Sequence, residues 1–549
     1  MKLFLNRLGV ALALASSGMA ANATVFYFSD CASGASAACV PGNDTNVGDD
    51  PAKPRRTLAG FTVKNRADGE YVLAFARGSA LEFNGMLYLG QLKSSTQSLV
   101  LTDYRPSWGG ETLPIIRFTP STNVNALNSA GFNMTRAGSG FKFRNLDITG
   151  TGAPNYYGSG FFFYQNVSDV LLENVTIRDF GIGVYVAQQK HNPPTRIENI
   201  TIRNSRIINN FAQGFLGGGY KTVLENNVFD NNGFKGGSRY HNIYLSDYAE
   251  NMVLRGNTLT NSAMVNGRCT GVSLVGHDHL VNTLIENNTI IELTANWGCY
   301  GIQINGYQSS TKYMGFDGTV IRGNTVVLGG AAGAIGIGVN ACPNCVIENN
   351  TVVGFVDSDF TGIAVPDGSF TSPGAKDYAI TVRNNSVYVN SPSGNSAAIR
   401  VNSAASSNDK VVSNMIYLGP RSHSEAKCFK TGDRTLSSFA AFGDNICFRT
   451  GGAGKWSDQH STLTAAQAGG WDSGSRNTDP LLVAAPGAAN QWSMTVRLGS
   501  PAINAGSRAL SASTDILGKP RDALPDIGAF ENGNTPPPVP AAPTGIVVQ

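Results

Sequence analysis

LENNVF (224–229), LRGNTL (254–259), LIENNTI (284–290), VIRGNTV (320–326), VIENNTV (346–352) and VRNNSV (382–387) share one pattern, apolar-x-Asn-Asn-x-apolar or a close variant. FRNLDI, LENVTI and IENITI are earlier forms of it. A second apolar segment precedes each unit: GVYVAQ from 183, NIYLSD from 242, GVSLVG from 271, GIQING from 301, GIGVNA from 336 and GIAVPD from 362. The spacing is about 25 to 36 residues, with two or three short strands per repeat and no amphipathic helix between them. Such a unit cannot bury its apolar face alone, so the pattern predicts an all-β solenoid of about a dozen stacked coils.

Each coil rises by one strand spacing, ~4.8 Å, which turns aligned residues into ladders. Asn227, Asn257, Asn288, Asn324, Asn350 and Asn385 should form one, their amides bonding to each other and to the turn backbone. The position before the Asn pair reads Glu173, Glu198, Glu225, Arg255, Glu286, Arg322, Glu348, Arg383. From Glu225 the signs alternate, as suits an exposed face where stacked like charges repel. Glu173, Glu198 and Glu225 break that rule. Either Arg178 and Arg203 relieve them or a cation does, and calcium is the metal that three stacked carboxylates would hold. No other cofactor is required.

Eight cysteines in an exported chain favour disulfides. Cys31 with Cys39, and Cys428 with Cys447, are sequence-local pairs on the flanks. Cys342-Pro-Asn-Cys345 reads as a tight structural bridge because no redox-type βαβ pattern surrounds it. Aligning CTGVSLVG with CYGIQING puts Cys269 and Cys299 at one position of consecutive coils, within disulfide reach.

The opening MKLFLNRLGVALALASSGMAANA reads as a secretory signal over residues 1–23, so the expected location is periplasmic or extracellular. No later apolar run approaches the ~20 residues that cross a bilayer, which argues against a membrane partner. A net charge of +3 over 549 residues argues against nucleic acid, while leaving room for a local basic groove. A monomer is expected.

At the ends, VPGNDTNVGDDPAKPRRTLAGF (40–61), with a short capping helix expected near Arg56 to Gly60, and RLGSPAINAGS (497–507) followed by TDILGKPRDALPDIGAFE (514–531) complete a resemblance. Together with the repeat they make the chain similar to secreted right-handed parallel β-helix proteins of the pectate-lyase-like superfamily over nearly all of 24–531. The expected division is an N-terminal cap at 24–62, the β-helix at 63–420, a C-terminal capping region at 421–531 and a Pro-rich tail at 532–549. The fold hosts lyases, hydrolases, epimerases, esterases and adhesins, so it does not name a reaction.

The resemblance implies a polysaccharide lying along a groove beside the parallel sheet. RYHNIYLSD (239–247) is where His, Arg and Tyr concentrate, and three of six histidines fall between 241 and 279. Stacking the repeats puts Arg239 above Arg268, His241 above Thr270 and Tyr300, Tyr244 beside Ser273 and Gln303, and Tyr248 beside His277 and Tyr307. Lys235, Tyr240, Asp247 and His279 flank the same coils as substrate-binding candidates. A lyase on a uronate polymer must neutralise a carboxylate, remove the C5 proton and protonate the C4 oxygen. Arg239 or Arg268, His241 and Tyr244 fit those roles, with His277 as a further catalytic candidate. Two other readings stay open. A hydrolase would need two carboxylates flanking the scissile bond, for which Asp247 and Asp278 are the best pair. A non-catalytic binding or matrix protein would use exposed aromatic rings, and His241 would then serve only to bond a neighbouring coil's backbone.

Overall fold

The computed structural model describes residues 23–119, 131–152, 158–188, 195–235, 240–277, 279–295, 299–305, 316–366, 378–403, 406–452, 454–487 and 491–532. Three parallel strands recur in each coil. The first ladder contains Val167–Glu173, Ile197–Arg203, Val223–Glu225, Val253–Arg255, Leu284–Glu286, Val320–Arg322, Val346–Glu348 and Thr381–Arg383. The second follows each Asn turn, as in Thr258–Thr260, Thr289–Ala295, Thr325–Gly330 and Thr351–Val356, and forms a sheet of 13 strands among the described residues. The third contains Ser159–Phe163, Ile182–Val186, Gln213–Tyr220, Ile243–Glu250, Val272–Gly276, Cys299–Asn305, Ala334–Asn340, Phe360–Val365, Ala397–Val401 and Lys427–Lys430. Strands with these pairings run from Thr24–Phe28 to Lys455–Ser457, beyond both expected bounds of 63 and 420.

The Asn pair divides its labour. The first residue takes the left-handed conformation that turns the chain, at Asn226, Asn287, Asn349 and Asn384, with φ between 49° and 56°. Glycine stands at Gly256 and Gly323, where φ is 64° at both and where a Cβ would come within 2.3 Å of the amide oxygen of Asn226 or Asn287. The second residue points inward. Asn227 Nδ2 donates to Asn257 Oδ1 (3.0 Å), Asn257 to Asn288 (2.9 Å), Asn288 to Asn324 (3.0 Å), Asn324 to Asn350 (3.0 Å) and Asn350 to Asn385 (3.0 Å). The ladder continues through Asn414 to Asn445, two residues more than the repeats led us to expect.

A second polar ladder lies at the turn between the second and third strands, and sequence reading missed it. Asn210 Nδ2 donates to Asn232 Oδ1 and Asn232 Nδ2 to Asn242 Oδ1, each at 2.8 Å. Asn242 N then meets Ser262 Oγ (2.9 Å), and Ser262 N meets Glu292 Oε1 (3.1 Å). Its signal was the pairs Asn209-Asn210 and Asn231-Asn232, five residues after Asn204 and Asn226.

The charge row needs correction. In register it runs Arg144, Glu173, Arg203, Glu225, Arg255, Glu286, Arg322, Glu348, Arg383, with strict alternation. Glu198 is not part of it and pairs instead with Ser168 and Tyr220. In that coil the repeat position belongs to Arg203-Asn204-Ser205, so no three carboxylates stack. Glu173 is held by Arg144 (3.0 Å) and Arg203 (2.5 Å), and Glu286 by Arg255 (2.6 Å) and Arg322 (2.7 Å). The grounds for calcium near Glu173, Glu198 and Glu225 disappear with the register. Among the described residues no group of three His, Cys, Asp or Glu side chains could hold a metal ion.

All four expected disulfides are formed: Cys31 with Cys39, Cys269 with Cys299, Cys342 with Cys345, and Cys428 with Cys447. The two flanking bridges have different surroundings. Cys39 lies in the turns that follow the first strand, where Cys31 bridges to Ala80 of the second ladder. Cys428 and Cys447 are both buried in the core, and Cys447 pairs with Ile416, so this bridge links the third ladder to the second rather than capping the solenoid from outside. Cys269 and Cys299 lie 5.9 Å apart at Cα, but the alignment that predicted them is two residues out. Val272 pairs with Tyr300 and Val275 with Gln303, because Cys269 sits on an antiparallel hairpin, Met264–Val265 with Arg268–Cys269, ahead of the strand.

The N-terminal segment forms turns over Arg56 to Gly60 rather than the expected helix. The C-terminal segment lies along the flank of the solenoid. Asn349 Nδ2 donates to Thr514 O (2.8 Å) and Asn384 Nδ2 to Asp526 O (3.1 Å). Leu482, Trp492, Met494 and Ile527 pack on Val327, Val353, Tyr388 and Met415 of the second ladder. Over these coils the second face is therefore occupied by the chain itself. No helix among the described residues is long and apolar enough to cross a membrane.

Candidate functional site

The third ladder carries the candidate residues, and its alternation decides which can meet a ligand. Phe161, Val184, Phe215, Ile243, Leu274, Ile302, Ile337, Ile363, Ile399 and Phe429 form its inward row and are fully buried in the core. The next residue of each strand turns outward, giving the row Phe162, Tyr185, Leu216, Tyr244, Val275, Gln303, Gly338, Ala364, Arg400, Lys430. Aromatic rings stand at one end of this row and cations at the other.

Tyr244 is at the centre of the candidate cluster, half-buried, with two imidazoles edge-on to its ring. His241 lies at 5.4 Å and His277 at 5.5 Å between centroids. The register differs from expectation. Tyr244 pairs with Val275, which pairs with Gln303, so Ser273 is not its neighbour. His241 meets Val272 rather than Thr270, and Tyr300 is the next partner of Val272. Tyr248 pairs with His279 rather than His277. These errors follow from the hairpin of Arg268–Cys269, which displaces the following strand by two residues.

The two histidines of the cluster differ. His241 is 1% exposed and its Nδ1 lies 3.1 Å from Val272 O and 3.3 Å from Val272 N, so the ring is tied to the neighbouring coil's backbone. Asn242, two residues before Tyr244, is fully buried in the second polar ladder. His277 is half-buried, with Nδ1 at 2.8 Å from Asn305 O. A carbonyl only accepts, so Nδ1 carries the proton and Nε2 is the basic nitrogen of the neutral ring. His277, expected on a different partner, is thus the imidazole suited to take a proton.

The remaining candidates are distributed around this centre. Lys235 Nζ lies over the rings of Phe211 (5.5 Å) and Tyr240 (5.2 Å). Arg268 is exposed on the stapled hairpin. His279 Nε2 is 3.4 Å from Glu250 Oε1, and its ring is 5.0 Å from that of Tyr248, so these three form a separate group. Tyr300 is half-buried, and Gln303, on the outward row, is 6% exposed. Asp247 has a left-handed φ of 61° where the strand's register shifts against Gly217 and Gly219. Arg239, Tyr307 and Asp278 lie outside the described residues.

An aromatic group lies beside the cluster. Phe162 stacks on Tyr164 at 5.9 Å and meets Tyr185 at 5.4 Å. Burial, together with the charge of Asp247 and the neighbouring Tyr164, pushes the Tyr185 phenol up to about 12, so it stays a neutral hydrogen-bonding group. The period-2 pattern of FFFYQ was the available signal: Phe161 and Phe163 are core, and Phe162 and Tyr164 face the other way.

Residues 115–259 match the family described as right handed beta helix region. No curated protein matches the chain. Among solved structures, a lacto-N-biosidase from Eubacterium ramulus is similar at 14% identity and a TM-score of 0.45, over 76% of this chain and 67% of that one. The Dettilon tailspike protein is similar at 12% identity and a TM-score of 0.44, over 67% of this chain, which spans only 63% of the tailspike's length. Pectate lyase Pel9A is similar at 12% identity and a TM-score of 0.38, over 93% and 97% of the two chains. These are similarities of shape.

Proposed function

We propose that this chain, a right-handed parallel β-helix of the pectate-lyase-like kind, is an exported enzyme that cleaves an acidic, uronate-containing polysaccharide by β-elimination. The observation that carries the reading is Tyr244 on the outward row with the basic nitrogen of His277 on the neighbouring coil. In this reading His277 removes the C5 proton, and the C–H electron pair becomes the C4=C5 double bond. The C4–O bond breaks, and the Tyr244 phenol delivers a proton to the departing oxygen. Arg268 and Lys235 are the cations this end offers to a substrate carboxylate, and Phe162, Tyr164 and Tyr185 offer faces for sugar rings. His241, held under Tyr244 by the Val272 backbone, positions the phenol and does not meet substrate.

The test is incubation with a panel of uronate polymers, following the absorbance of the unsaturated uronate. Tyr244→Phe and His277→Ala should each lower product formation by about 100-fold or more. New reducing ends without that absorbance would replace elimination by hydrolysis. Glycan binding without either product would replace the enzyme by a binding protein.

A further inference from the structure

Beside Tyr244, the outward face of the third ladder carries a short polar row. Gly276 pairs with Ile304, which sets His277 next to Asn305, and Asn305 pairs with Asn340. Ile304 and Val339, one residue earlier in their strands, are fully buried in the core, so the row faces away from it. Asn305 and Asn340 are nevertheless 0% and 5% exposed, so their amides have to be satisfied inside the protein. Asn340 Nδ2 donates to Asn305 Oδ1 at 3.1 Å, and His277 Nδ1 meets Asn305 O at 2.8 Å. Donors from both neighbouring coils therefore converge on Asn305. In the two buried amide ladders each side chain instead donates toward the C-terminal coil, as Asn227 does to Asn257 and Asn210 to Asn232. Asn305 and Asn340 are each the last residue of their strands, Cys299–Asn305 and Ala334–Asn340. The amide bond between them thus fixes the strand end whose carbonyl receives the His277 ring.

We infer that Asn340 and Asn305 are a pair of positioning residues for His277. Asn340 clamps Asn305 from one coil, and Asn305 holds the ring on the other coil through its backbone carbonyl. That carbonyl only accepts, so it keeps the proton on Nδ1 and makes Nε2 the basic nitrogen. His241 has no such selection: its Nδ1 lies 3.1 Å from Val272 O and 3.3 Å from Val272 N, an acceptor and a donor together. An imidazole without a selecting partner exchanges between its two neutral forms, and only one of them offers Nε2 as a base. The inference rests on the reading that His277 takes the proton, but the contact can be tested on the ring itself, without turnover.

The experiment is nitrogen NMR of the full chain carrying labelled histidine, at about pH 8.5, where an imidazole is neutral. His277→Gln identifies the signal. The wild type should show His277 as the Nδ1–H form alone, and a ring already in the Nε2–H form would overturn the inference. Asn340→Ala and Asn305→Ala both keep the Asn305 backbone carbonyl, yet each should lose the single form and bring in the Nε2–H form. The double variant should go no further than either single one, because the same contact is lost in all three. Asn340→Leu removes the donor while filling its space, and carries the same readout if an alanine variant does not fold. On a uronate polymer that the wild type cleaves, each single variant should lower kcat roughly tenfold and leave KM within about twofold. An unchanged ring signal in the variants overturns the inference, and a lowered unfolding midpoint beside it would make the amide pair a structural bond only. A changed ring signal in a protein that yields no product upholds the positioning and sinks the lyase reading. Cleavage with the wild-type ring signal in every variant sinks the positioning alone.

Discussion

Replacing Glu292 with Gln should change how stability depends on pH. The carboxylate is 1% exposed where the second polar ladder ends, accepting from Ser262 N at 3.1 and 3.2 Å and from Ser273 Oγ at 2.9 Å. Burial pushes it up to about 8 despite these donors, and the charge of Asp230 adds to the rise. Its folded value therefore lies above its unfolded value near 4.5. Below that pH both states hold the proton and the contribution is complete. From there to about pH 8 the unfolded chain releases the proton while the fold keeps it, so stability falls by about 1.4 kcal/mol per pH unit. The window of roughly 3.5 units gives a loss on the order of 5 kcal/mol. Glu292→Gln keeps one acceptor oxygen and removes the titration. Urea unfolding of both proteins at pH 5, 6.5 and 8 should show the wild type losing stability relative to the variant as pH rises. A difference independent of pH, or of opposite slope, would refute the reasoning and mean that Ser262 and Ser273 hold Glu292 ionised.

Four further outcomes follow from the same geometry. Asn350→Ala deletes two donated and two accepted bonds inside the Asn ladder and leaves Asn324 N–H buried without a partner, so urea unfolding should show a cost of about 3–5 kcal/mol and faster amide exchange at Asn324. Opening Cys269–Cys299 with a Cys269→Ser, Cys299→Ser pair should cost ~3–4 kcal/mol for a separation of 30 residues, read as a lower unfolding midpoint. Gly336→Val should impair folding, measured as soluble yield, since its Cβ would stand 2.3 Å from a Val352 methyl and 2.5 Å from Gly362 O. His241→Ala should lower the turnover of any uronate polymer less than His277→Ala does, because the first ring only supports Tyr244; equal losses would return His241 to the chemistry.

Stacked coils are legible because their period is written in the residues that every coil must repeat. Asn or Gly recurs where these coils turn with positive φ, as at Asn226 and Gly256, and an Asn amide recurs where the turn is satisfied inside the core, as at Asn227 and Asn257. Pattern alone therefore carried the solenoid, the first Asn ladder and the paired cysteines. It failed where one coil differs in length from the next. Arg203 displaced Glu198 from the charge row, and the hairpin at Arg268–Cys269 moved Val275 into the place assigned to Ser273.

The sequence by itself determined the architecture and the neighbourhood of the site, since hydrophobic period and turn chemistry are local and repeat. Tertiary structure alone decided which side chains of that neighbourhood look outward. His241 and Tyr244 are three residues apart, yet one is tied to the next coil's backbone and the other stands on the outward face. It also brought Lys427 over Lys455 and set Glu292 at the end of a buried ladder, because inter-coil register depends on the summed lengths of the loops between strands.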